Sequence, residues 1–189
     1  MLLIILSKQT RFDKATTYLS RFARLIRSVL ESSKNNLVPF YKDYETLQIY
    51  LQLEQFRCND KFAFAINADE VLLQGDYKVP PLIVQPFVEN AIHHGLLNKQ
   101  KGEKILSVNA HLENNFIKYT IIDNGVGRTR ASEIKNNNRP EHKSLGIQIT
   151  TERIYLHNKK GTWNDIIIRD RIVDGTHEGT EVEIKLKVV

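Results

Sequence analysis

A chain of 189 residues holds one or two small domains, and 41% apolar with 26% charged residues is the make-up of an ordinary soluble protein. The net charge of +5 suits phosphate-bearing partners without demanding nucleic acid, and the single Cys58 excludes an internal disulfide framework and any cysteine-built zinc site. The apolar opening Met1–Leu6 is too short to span a bilayer and lacks the basic flank and cleavage site of a signal peptide.

Residues 13–33 read as a helix, because Leu19, Phe22, Ala23, Ile26, Val29 and Leu30 recur at steps of three and four. Two uses of that stripe stand open: packing on this chain's own core, or completing a bundle with a second chain. After a break at 34–42, Leu47, Tyr50, Leu51 and Glu54 mark a second helix over about 41–57. Phe62, Phe64 and Ile66 alternate with Ala63 and Ala65, as in a strand, and Val71-Leu72-Leu73 is a short ambiguous apolar run.

From Lys104 the period is two, through Leu106, Val108, Ala110 and Leu112. The turn Glu113-Asn114-Asn115 then leads into a second strand, 116–122, which pairs antiparallel with the first. Residues 128–143 form a long polar, basic loop, of the kind that serves as a lid or stays disordered. A helix is expected from Ser144-Leu145-Gly146 to His157, and a closing pair of strands over 163–169 and 181–188 around the turn residues 174–179.

The stretch Pro81–Gly95 organises the rest. It reads as one helix, with Pro81 near its first turn, Gly95 as its C-terminal cap, and Leu82, Phe87 and Ile92 toward a core. Asn90, His93 and His94 are spaced to share one face. A zinc site on the paired histidines is disfavoured, since adjacent residues splay on a helix and no third ligand is evident. Two more stretches end an element with glycine beside a functional side chain: Asp123-Asn124-Gly125-Val126-Gly127 and Ser144-Leu145-Gly146. Each has a plain reading as a turn or a capped end; their order and spacing together are more specific.

As a set, these stretches resemble the ATP-binding domain of the GHKL superfamily, which includes histidine kinases, gyrase-type ATPases and MutL. Gln85–Gly95 is similar to the N box of LytS-like sensor histidine kinases, whose pattern is close to Q-P-L-V-E-N-A-I-K-H-G. Asp123–Gly127 resembles the G1 box, Ser144–Ile147 a shortened G2 box, and Gly179-Thr180 the glycine-threonine pair before the last strand. Tyr50–Arg57 resembles that subfamily's Y-L-x-I-E-x-x-R-F segment. The resemblance implies a two-layer α+β sandwich, the Bergerat fold, with a mixed sheet of about five strands and helices on one face. Residues 1–40 would be the end of a helical dimerisation region and 41–189 the catalytic domain.

ATP and Mg2+ are the implied ligands. Asp123 would accept the adenine N6 amine, where guanine would present a carbonyl. Gly125 and Gly127 would let the backbone approach the base and take positive φ. Asn90 would offer its amide oxygen to magnesium, which favours oxygen ligands and keeps several waters. His93 would donate to phosphate, with His94 alongside in either a binding or a capping role, and Arg128 and Lys143 would bring positive charge on the lid. Leu145 and Gly146 would open a helix whose N-terminus attracts phosphate, and Thr180 would close the pocket. Glu89 and His93 are the candidate catalytic groups. Hydrolytic members of the superfamily carry a water-activating Glu four residues before the N-box Asn; here that residue is Pro86.

That substitution favours phosphoryl transfer over an ATPase driving conformational change. A basic DNA-binding module rests on the net charge alone, without a basic helix or an aromatic platform. The LytS-like acceptor histidine lies in an N-P-H-F-L-F-N motif, which this sequence lacks. The expectation is therefore a fragment of a membrane-anchored, homodimeric sensor kinase: a cytoplasmic domain serving a separate acceptor histidine and a response regulator.

Overall fold

The computed structural model describes residues 2–128, 131, 145–159, 165–173 and 176–189. Five helices and seven strands are described: α1 (Leu2–Ser32), β1 (Val38–Pro39), α2 (Phe40–Arg57), β2 (Ala63–Ala68), α3 (Glu70–Gln74), β3 (Lys78–Val79), α4 (Gln85–Asn90), β4 (Ile105–Glu113), β5 (Phe116–Asp123), α5 (Leu145–His157), β6 (Ile166–Val173) and β7 (Thr176–Lys187). A π-helical turn, Ala91–Leu96, continues α4.

The sheet has five strands in the order β2-β4-β5-β7-β6, so β5 is its centre. β2 runs parallel to β4 and the other pairs are antiparallel, which makes the sheet mixed. Period-two alternation sends one residue set inward: Leu106, Val108 and Ala110; Ile117, Tyr119 and Ile121; Val182, Ile184 and Leu186 are all buried. α2 meets them with Leu47, Tyr50 and Leu51, one helical face, and α4 with Phe87 and Val88. Each such side chain contributes about 1.5–3 kcal/mol by leaving water. Helices on one face of a mixed sheet match the two-layer expectation.

α1 packs on α2 through the Ser28–Thr46 hydroxyl pair at 2.5 Å, the Arg24–Glu45 ion pair at 3.2 Å and the Tyr18–Phe56 rings at 5.1 Å. Its apolar stripe does not reach the core, and Leu19, Phe22, Ile26 and Leu30 are 43–64% exposed. The core-packing use of the stripe is not realised in this chain.

Several local expectations are corrected. The central helix starts at Gln85 rather than Pro81, because Leu82 takes φ 60°, a left-handed conformation that breaks helical continuity. That turn is held by Asp43, whose Oδ1 accepts the Leu82 N–H at 2.9 Å, while Arg153 Nη2 donates to the Pro81 carbonyl at 2.9 Å. Burial pushes the Asp43 carboxyl up to about 6, against the opposing pull of the Leu82 N–H and Arg153. The run at 71–73 is the short helix α3, and β1 and β3 form a small separate antiparallel pair. β7 begins at Thr176, inside the expected turn. Of the expected lid, residues 129–130 and 132–143 lie outside the described residues, as do Ser144 and Trp163.

Candidate functional site

Asp123 is the last residue of the central strand, paired with Leu106 on one side and Thr180 on the other. Its parity is that of Ile117, Tyr119 and Ile121, so the strand delivers a carboxylate where a core side chain would be due, and it is 3% exposed. Its Oδ1 accepts the Gly125 N–H at 2.8 Å, and the backbone and side chain of Thr180 also donate to it. Burial nevertheless dominates and raises its pKa to about 6. The carboxylate is thus ionised at neutral pH, but not by a wide margin.

The loop after Asp123 is packed backbone to backbone. A Cβ on Gly125 would lie 2.3 Å from the Gly95 carbonyl carbon, and one on Gly179 would lie 1.9 Å from the Asp123 oxygen. Gly179 has φ 100° and Gly127 φ 74°; Gly125 is not in the positive-φ region, so its need is for space alone. The Val126 N–H donates to the Gly95 carbonyl at 3.3 Å, and Lys99 Nζ to the Asn124 carbonyl at 2.8 Å. Gly95 is accordingly a buried contact point within the π turn rather than a helix cap, and a Cβ there would meet Asp123 Oδ1 at 2.8 Å.

The π turn decides which N-box side chains reach this loop. Its hydrogen bonds span five residues, as in Leu97 N–H to the Ile92 carbonyl at 2.9 Å. Such turns are rare and recur at functional sites. With a wider turn, residues four apart line up better than residues three apart. Asn90 and His94 line a common cavity, while His93 does not. His93 Nε2 instead lies 3.0 Å from Glu54 Oε2 and 2.8 Å from Arg57 Nη2, on α2. The expectation that Asn90, His93 and His94 share one face, with His93 on phosphate, is corrected for that reason.

The cavity measures about 240 Å³. Phe87, Ala91, Ile121, Ile147, Ile168 and Val182 give it apolar walls, and Asn90, His94, Asp123, Gly127, Arg128 and Thr180 are its predicted members. Arg128 is held at the rim by Asp170, with its Nε 3.3 Å from Oδ1. Glu89 is exposed and outside the lining, as are Leu145 and Gly146, whose turn opens α5 one residue before the lining Ile147. Lys143 lies outside the described residues. The apolar walls escaped residue-type reasoning, but the inward parity of Ile121 and Val182 beside Asp123 is a signal that could have found them.

A sequence family described as Histidine kinase matches residues 2–62. The sensor protein LytS of Oceanobacillus iheyensis is 38% identical over 61% of this chain and 19% of its own length. LytS of Staphylococcus saprophyticus is 32% identical over 90% of this chain and 28% of its own length. The chain is related to the LytS-like sensor histidine kinases. It spans 19–28% of these two curated relatives. Among solved structures, the catalytic domain of the histidine kinase ThkA superposes with a TM-score of 0.51 at 11% identity, over 80% of this chain and 94% of that one. ThkA in complex with the response regulator protein TrrA gives 0.50 at 16% identity, over 92% of this chain and 49% of that one. The fold is therefore that of histidine kinase catalytic domains, and the LytS-like likeness read from the boxes holds across nearly the whole chain.

Proposed function

We propose that this chain binds Mg-ATP in the cavity at the end of β5. Within a longer sensor kinase, the γ-phosphoryl then passes to a histidine on a dimerisation domain, for relay to a response regulator. The observation that carries the reading is the joining, in one cavity, of a buried carboxylate at the sheet's centre with the Asn90 amide at the end of α4 and the His94 imidazole on the π turn. Ligand pockets usually enclose roughly 300–1,000 Å³. A cavity of about 240 Å³ with apolar walls suits the base, leaving the triphosphate to run out past Asn90 and Arg128.

In this reading the Asp123 carboxylate accepts the adenine N6 hydrogen, and a guanine carbonyl there would face a like partial charge. Asn90 would hold magnesium by its amide oxygen, and the ion would supply charge neutralisation for the phosphates. Arg128, steadied by Asp170, adds positive charge at the rim. The acceptor imidazole nitrogen forms a bond to the γ-phosphorus as the bond to the ADP oxygen breaks. Glu89, exposed beside Asn90, is the candidate to take the proton the imidazole sheds. With Pro86 at the water-activating position, transfer is favoured over hydrolysis.

Residues 1–40 are assigned to the end of the dimerisation region, and the exposed stripe of α1 to pairing in a homodimer of the full protein. The ThkA–TrrA complex supports a response regulator as partner. No described helix is long and apolar enough to cross a membrane, so anchoring of the parent would fall to other segments. Titration calorimetry with Mg-ATP and Mg-GTP tests the reading. ATP is expected to bind and GTP to bind far more weakly, with phosphoryl transfer to a separately supplied acceptor-histidine domain and little steady hydrolysis. Well-folded protein that binds neither nucleotide overturns it.

A further inference from the structure

Behind the cavity, the last turns of α2 meet the π turn at three side chains that the proposed chemistry does not use. Glu54 Oε2 lies 2.6 Å from Arg57 Nη2 and 3.0 Å from His93 Nε2, and Arg57 Nη2 lies 2.8 Å from the same His93 nitrogen. Glu54 is well enclosed, its side chain 12% exposed, whereas Arg57 is 55% exposed. A single ring nitrogen serves one of these partners at a time: with a proton it donates to Glu54, and without one it accepts from Arg57. Either way the imidazole stays between them. The ring belongs to the π turn, and its neighbour His94 faces the other way, into the cavity. Asn98 Nδ2 fastens the same turn from its far end, donating to the His94 carbonyl at 2.9 Å.

We infer that Glu54 and Arg57 are positioning residues for the phosphate side of the cavity. They grip His93 from α2 and so fix the π turn where it joins α4, holding Asn90, the last residue of α4, and His94 of the turn toward the cavity. The inference rests on the Mg-ATP reading above. The clamp touches neither Asp123 nor its loop, so it bears on the metal and phosphates and not on the base. Groups that orient a metal ligand typically change metal affinity or activity by about 10–100-fold when removed.

Calorimetry on the 189-residue chain compares Mg-ATP with adenosine, which reaches only the Asp123 end. Arg57→Ala and Glu54→Gln are each expected to weaken Mg-ATP about tenfold or more and to raise the magnesium concentration for half-saturation, with adenosine affinity changed less than about twofold. Arg57→Lys, which keeps a donor, recovers part of the loss. Glu54→Gln added to His93→Ala costs nothing further, because both act through one contact. Retained adenosine binding shows that a variant is folded, and the exposed Arg57 can be removed without hollowing the core. Variants that bind Mg-ATP like the wild type, or that lose ATP and adenosine in parallel, overturn the clamp. Wild-type protein that binds neither ligand instead overturns the Mg-ATP reading and the clamp with it.

Discussion

At the inner end of the cavity Asp123 is 3% exposed, and its loop is wedged against Gly95 and Gly179 with no room for a single added carbon. At the outer end Asn90, the last residue of α4, is half-buried, and His94 is exposed on the π turn that follows, whose His93 contacts Glu54 and Arg57 on α2. The inner end is set by backbone contact, which cannot adjust; the outer end is set by side-chain hydrogen bonds, which can. In the Mg-ATP reading proposed above, a site divided in this way would fix the base and leave the phosphate side adjustable for an arriving acceptor.

The contrast can be broken most severely at Gly179. Its φ of 100° and the 1.9 Å approach to Asp123 mean that Gly179→Ala strains the backbone and pushes β7 off the Asp123 loop. A loss of about 3 kcal/mol in denaturant unfolding is expected, together with nucleotide binding. Next comes Asp123→Ala, which leaves the fold in place but removes the acceptor: Mg-ATP affinity should fall about a hundredfold, the scale of a buried charged hydrogen bond. Equal affinities of wild type and variant in calorimetry would dissolve the distinction between the two ends. Asn90→Ala should act only outside, removing the magnesium dependence of ATP binding while adenosine still binds.

Smaller effects come from pH. Protonation of Asp123 below about 6 should weaken ATP binding progressively, and the loss should be absent in Asp123→Ala. Asp43 gives the matching test of stability. Its folded pKa of about 6 lies above the ordinary aspartate value of 3.8, so the folded state binds its proton more tightly than the unfolded chain does. That contribution is fully present below 3.8 and is lost as pH rises through about 6. Wild type should therefore gain thermal stability relative to Asp43→Asn as pH falls from 7 toward 4. The smallest change belongs to the surface pair Arg24–Glu45, where Glu45→Ala should cost less than about 1 kcal/mol.

The sequence carried the sheet well because alternation is a direct record of which side chains face inward. β4 and β5 read straight from Leu106 to Ile122, and Asp123 stood out as a polar residue ending an inward row. α2, α5 and the part of α1 from residue 13 were equally plain from their spacing, whereas the start of α1 at Leu2, ahead of the periodic stripe, was not. The π turn was not, since residue types at 91–96 are as compatible with an α-helix, and the choice is made by contacts with Gly125 and α2 that lie far off in sequence. His93 was misdirected for this reason: its spacing from Asn90 is right for an α-helix and wrong for the wider turn. The parallel pairing of β2 with β4 likewise follows from chain connectivity, about which alternation is silent.

A π turn can be regarded as an α-helix carrying one surplus residue. Deleting a single residue from 91–96 would let the segment relax into regular α-helix and swing everything after it by about 100°, one residue's share of a 3.6-residue turn. Gly95 would leave Asp123 and His94 would leave the cavity, although no chemically essential group had been removed. In the proposed site, the length of this one turn would therefore count for as much as any side chain it bears.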